Sequence, residues 1–152
     1  MPGVLVSLRT GTIPGMAKKR LVDTKFWTDS FVLNELDPIE KLIYLYLITN
    51  PYTSICGIYE LPLKVMAVET GLDKEHLEKV IIPRLESSGK ICYRDGWIAI
   101  KNFIKNQNQG SKDVKLGIAR ELEKAPESLR TWINDGTVPR PSIDPMFSFS
   151  FS

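Results

Sequence analysis

Histidine is nearly missing from this sequence of 152 residues: His76 is the only one. A Ser-His-Asp triad or a multi-histidine metal centre would have to be built around that single position. Helical spacing places His76 beside a turn, where a solvated or phosphate-touching imidazole is the simpler reading. Cysteine is scarce too. Cys56 and Cys92 form neither a C-x-x-C pair nor a disulfide framework. They read as reduced, buried thiols of a cytoplasmic protein, with a structural disulfide as the alternative. The phosphate-cradling Gly-x-x-x-x-Gly-Lys-Ser/Thr loop does not occur, so nothing supports ATP hydrolysis. No apolar run approaches the roughly 20 residues of a membrane-spanning helix. Val4-Leu5-Val6 is too short for a signal-peptide core. No repeat of the length used by solenoids is visible. Charge of one sign is also lacking. The net charge is +2, and from Met16 to Lys105 thirteen Lys and Arg stand against twelve Asp and Glu. A protein that grips DNA tightly by itself usually carries a clearer basic patch. Acids such as Asp37, Glu40, Asp73, Glu75 and Glu78 fall at expected helix starts, where compensation of the helix dipole explains them. The residues assign no catalytic role, no cofactor and no metal.

What is present is a small domain's worth of apolar residues, 43% of the chain, enough for one core. The most informative stretch is Leu63 to Val80, which predicts two helices meeting at a tight turn. Gly71 can take the positive φ the turn needs, and Ala67 lets the second helix cross closely. Met66, Leu72, Leu77 and Val80 are the expected contacts between the helices. Asp73 sits at the N-cap position of the second.

Lys90 to Ile100 then predicts a β-hairpin around Asp95-Gly96. A two-residue turn pairs Arg94 with Trp97, Tyr93 with Ile98, Cys92 with Ala99 and Ile91 with Ile100. Alternation puts Ile91, Tyr93, Ile98 and Ile100 on a core face. Lys90, Lys101 and the Arg94–Trp97 pair fall to an opposite face, expected to be wet and basic. A helix–turn–helix followed by a hairpin is a winged helix. The expected fold class is therefore α+β, mainly helical, with a small antiparallel sheet and a C-terminal helical extension.

Around this unit the chain divides at Pro, Gly and polar clusters. Residues 1–15 read as a tag-like or over-extended N-terminus, because Met16-Ala-Lys-Lys-Arg20 resembles a second start. Lys18, Lys19 and Arg20 read as a solvated terminus, or as an arm touching phosphate. Residues 16–105 form the winged-helix domain, 106–134 a linker and helical extension, and 135–152 a disordered tail ending in the Phe-Ser repeat Phe147 to Ser152.

Within the domain, a short helix is expected from Trp27 to Leu36, capped by Thr28 or Asp29. Asp37-Pro38 opens a helix to about Asn50. That helix is apolar without a break from Leu42 to Ile48. Either it is buried centrally, or Tyr44, Leu45 and Ile48 also meet a second subunit. Ile58 to Leu61 is expected to join the hairpin as a third strand. Pro83 is expected to bend the second helix of the pair near Lys79–Val80, and Gly89 to end it. Ser111 can cap a helix carrying Val114, Ile118 and Leu122. Pro126 starts another, whose Leu129, Trp132 and Ile133 need cover.

The runs Leu21-Val-Asp-Thr-Lys-Phe-Trp27, Gly57-Ile-Tyr-Glu-Leu-Pro62 and Asp95-Gly-Trp-Ile-Ala-Ile-Lys-Asn-Phe103, with the polar joint after Lys105, carry a resemblance. Together they resemble the N-terminal winged-helix domain of phage replication initiators, or replisome organisers, related to the primosomal DnaD family. The resemblance spans roughly Lys18 to Pro126. It implies a role in starting phage or prophage DNA replication in the bacterial cytoplasm. Double-stranded DNA, with replication-origin DNA as a candidate, homo-oligomers and a helicase loader would be the partners, and no membrane. Many such proteins carry a second, helical domain with no counterpart here, so helicase loading is not carried over.

Three readings remain open. In the first, Lys74, Glu75, Glu78 and Lys79 meet a DNA groove while Lys90, Arg94 and Lys101 contact phosphate and Trp97 braces Arg94. In the second, the domain is an assembly module of a replisome. In the third it is a winged-helix transcriptional regulator, for which the sequence displays no effector pocket.

Overall fold

The computed structural model describes residues 18–107 and 112–135. The expectations for residues 1–15, for the Ser111 cap and for the Phe-Ser tail lie outside them. The architecture is α+β and mainly helical, with one three-stranded antiparallel sheet.

Short polar side chains set the helix starts. A 3-10 turn, Thr24–Trp27, begins where the Asp23 side chain accepts from the Lys25 N–H. Helix α1 (Ser30–Glu35) begins at Asp29, whose carboxylate takes the Phe31 and Val32 N–H groups. Helix α2 (Pro38–Thr49) opens with a reciprocal capping box between Asp37 and Glu40 and Pro at its start. Its apolar circumference divides between the core and a half-buried rim. Ile43 and Leu47 are fully buried, while Tyr44, Leu45, Tyr46 and Ile48 pack half-buried against the same core. Ile39 and Leu42 are the apolar residues α2 leaves outside.

Strand β1 (Ile58–Glu60) precedes α3 (Leu63–Thr70). Gly71 ends α3 at φ 76°, the left-handed value the turn requires. The Asp73 side chain then caps the next helix by accepting from the His76 N–H. That helix has three parts: α4 (Lys74–His76), a π turn (Leu77–Ile81) and α5 (Ile82–Ser87).

The π turn answers Pro83. In a regular helix its ring would strike the carbonyl of Lys79, four residues back. Widening the preceding turn, with the Ile82 N–H donating to the Leu77 carbonyl, makes room within a continuous helix. The same turn changes which residues point inward. Leu77 and Ile81 are buried, whereas Val80, expected between the helices, is 47% exposed.

Gly89, at φ 79°, leads into β2 (Ile91–Arg94), which pairs with β3 (Trp97–Ile100) in the anticipated register. Asp95 and Gly96 both have positive φ, 52° and 81°, the requirement of a type I′ turn. β1 joins the other side of β3, placing Ile58 opposite Ala99 and Tyr59 opposite Ile98, in the order β1-β3-β2. One sheet face, with Tyr59, Ile91, Ile98 and Ile100, closes the main core against α2, α3 and the π helix.

The second face corrects an expectation. It is dry. Ile58, Cys92 and Ala99 form a strip of small and medium apolar side chains. Leu129 and Trp132 of helix α8 (Glu127–Asp135) and Ala125 at the corner before it cover the strip, with Ile118 and Leu122 of helix α7 (Lys112–Lys124) packed half-buried against them. The extension therefore packs on the sheet itself, which answers the need of Leu129 and Trp132 for cover. Both cysteines are free and buried. Before these helices, α6 (Phe103–Asn106) turns the chain back from β3.

Candidate nucleic-acid interface

The helix after Gly71 presents Lys74, Glu75, Glu78 and Lys79, all exposed, along its outer side. Lys79 reaches Glu75 one turn back at 3.4 Å. Both side chains are well solvated, so the pair holds little energy and leaves the lysine available. This face is firmly mounted. The Glu69 carboxylate, near the end of α3, accepts from the Tyr46 hydroxyl at 2.5 Å and the Tyr52 hydroxyl at 3.0 Å. Farther along, Arg84 of α5 meets the buried Glu40 of α2 at 2.8 Å and also donates to the Glu35 carbonyl.

The hairpin behaves differently from expectation. Arg94 does not rest on Trp97. Its guanidinium turns back to Glu86 of α5 at 2.6 Å and to its own peptide carbonyl at Tyr93. Glu86 also takes the Tyr93 N–H at 2.8 Å, so one carboxylate fastens strand to helix and offsets the arginine charge. The two remaining hairpin lysines lie at its base. Lys90 Nζ stands 5.2 Å from the centre of the Phe31 ring, and Lys101 Nζ 5.8 Å from that of Trp132. The Lys101 N–H donates to the Lys90 carbonyl at 3.0 Å, holding the two together.

Those lysines border a cleft of about 230 Å³ between the hairpin base, α2 and the segment before α1. Tyr44 and Ile48 line it too. The structure thus joins residues assigned to two separate roles, phosphate contact and self-association. Tyr44 is held against Phe26 and Phe31 by ring contacts with centroids 5.7 and 5.9 Å apart. Burial, and secondarily the Asp29 carboxylate, push its hydroxyl up to about 12, so it keeps its proton at neutral pH.

The basic start of the described chain is folded down. Lys18 donates to the Thr53 carbonyl at 2.9 Å, and Arg20 to the Thr53 hydroxyl at 2.7 Å and carbonyl at 2.9 Å. Leu21 and the Gln107 side chain exchange two hydrogen bonds of 2.9 Å. Burial lowers the pKa of both Lys18 and Arg20. Lys19 alone of the three reads as the solvated terminus expected. No local pattern announces a contact between residues 33 apart.

Among the described residues no group of three or more His, Cys, Asp or Glu could hold a metal ion, and no helix is long and apolar enough to cross a membrane. Comparison with known protein families, curated proteins and solved structures returns no match to this chain.

Proposed function

We propose that the helices about Gly71 and the β2–β3 hairpin form a winged helix that binds double-stranded DNA, acting in the initiation of phage or prophage replication in the bacterial cytoplasm. One observation carries the binding reading. A short helix with Lys74 and Lys79 on its solvent side is held to α2 by Glu40–Arg84 and to the hairpin by Glu86–Arg94. Such a mount fixes the helix as a rigid body, which groove insertion needs. The replication assignment rests on the sequence resemblance.

The charge inventory bounds the strength. With Arg94 offset by Glu86 and Glu75 and Glu78 beside the lysines, phosphate contact falls to Lys74, Lys79, Lys90 and Lys101. Four contacts give salt-sensitive binding of moderate affinity. Fluorescence anisotropy with a labelled duplex tests this: Lys74→Ala with Lys79→Ala should weaken binding about tenfold or more. Unchanged affinity would refute it. Origin against promoter duplexes would separate replication from transcriptional regulation.

A second reading, an assembly module within a replisome, is favoured by Ile39 and Leu42. They stand three residues apart on the outer side of α2, 43% and 48% exposed. Light scattering decides it; a strict monomer at high concentration rules it out.

A further inference from the structure

We infer that the cleft between the hairpin base and α2 is a binding site for a small, flat, carboxylate-bearing molecule. Its apolar wall sets three aromatic rings, Phe26, Tyr44 and Phe103, beside Val32, Ile48 and Ile100. Rings of this kind favour a planar apolar body. A volume of about 230 Å³ is below the 300–1,000 Å³ of drug-sized sites, so one or two fused rings suit it.

Charge at the mouth supplies the second half. Lys25, Lys90 and Lys101 border the cleft, with Asp23 and Asp29 as its acids. Both carboxylates already serve as helix caps: Asp23 takes the Lys25 N–H, and Asp29 those of Phe31 and Val32. Among the described residues no carboxylate forms an ion pair with Lys25 or Lys101. Lys25 therefore keeps its donors for an incoming anion, whereas the Lys90 and Lys101 ammonium groups rest against the Phe31 and Trp132 rings and turn toward it by giving up that contact. Three lysines against two acids leave the mouth with an excess positive charge. Tyr44 adds a neutral donor. Its hydroxyl has no hydrogen-bond partner among the described residues, although most of its ring is enclosed. An apolar slot, an unspent phenol and unpaired ammonium groups together select an aromatic acid over a neutral or cationic ring.

The site shares Lys90 and Lys101 with the DNA reading but uses neither Lys74 nor Lys79, and Lys25 and Tyr44 belong to it alone. It is measured without DNA, so its failure and that of the DNA reading are told apart. Its test is nitrogen–proton NMR titration of the full chain with naphthalene-2-carboxylate, with naphthalene-2-carboxamide as the neutral control. The carboxylate should saturate at a Kd of about 0.1–1 mM, with shifts concentrated at Val22, Phe26, Ile48, Ile100 and Phe103. The amide should bind about tenfold more weakly. Tyr44→Phe and Lys25→Ala should each reduce carboxylate affinity several-fold, with thermal unfolding used to establish that each variant is folded. Equal binding of acid and amide, shifts centred elsewhere, or no saturation at millimolar concentration would overturn the inference.

Discussion

Two glycines with nearly the same backbone conformation should respond very differently to alanine. Gly57 has φ +80° and Gly71 φ +76°, so either substitution forces a side chain into the left-handed region at about 1–2 kcal/mol. At Gly71 that is the whole penalty, since a new Cβ would meet nothing within 4 Å. At Gly57 the Cβ would lie 2.6 Å from Phe103 Cβ and 2.9 Å from its Cγ. These atoms adjoin the Phe103 backbone, so rotation of the ring cannot relieve the contact. The Gly57 carbonyl also accepts from the Ile100 N–H at 3.0 Å, which resists withdrawal of the loop. Overpacking of this kind adds about 1–3 kcal/mol, for a total of about 2–5 kcal/mol. Urea unfolding should therefore give a Gly57→Ala loss about two to three times that of Gly71→Ala. Because Phe103 also walls the cleft and lies under Arg20, 5.7 Å from its ring centre, Gly57→Ala should perturb the NMR signals of both. Equal losses would refute the close approach of residue 57 to α6. A costless Gly71→Ala would refute the turn geometry.

Three further outcomes follow from the packing. Arg84→Met leaves the buried Glu40 carboxylate with only its capping bond to the Asp37 N–H; because Arg84 is itself half exposed, urea unfolding should show a loss of about 2–3 kcal/mol. Trp132→Ala should cost about 3–5 kcal/mol and accelerate thiol reaction of Cys92 with Ellman's reagent, which burial of the thiol otherwise suppresses. Raising pH should destabilise the protein above about pH 10. Burial raises Tyr44 and Tyr93 to about 12, and raises Tyr46 and Tyr59 as well, so folded phenols hold protons that unfolded ones release near 10. Their contribution is complete below pH 10 and is lost as pH climbs toward 12; urea midpoints at pH 9 and 11 measure it.

The features legible in the sequence were those fixed by neighbours in the chain. Asp95-Gly96 dictates a type I′ turn, and the turn dictates the register of all four residue pairs in the hairpin. Asp37-Pro38, Asp73 and Gly71 act within one helical turn, and so they too were readable. Three features depended on distant segments. The sheet's second face read as basic because Lys90 and Lys101 flank it in sequence, yet Cys92 and Ala99 form its centre and accept α8. Arg94 meets Glu86 only because α5 lies along β2. The cleft gathers residues from the segment before α1, α2 and the end of β3, and no spacing rule links them. Pro83 lies between these cases. Its disruption was legible, but the form it takes, a π turn, depends on Leu77 and Ile81 both finding places in the core.

The most direct measurement is the salt dependence of duplex binding, read as the slope of log K against log salt concentration for the wild type and for Lys74→Ala. Four lysine contacts predict a slope of about −3 to −4, reduced in magnitude by about one in the variant. A flat slope, or one that Lys74→Ala leaves unaltered, would contradict DNA contact through the helix after Gly71.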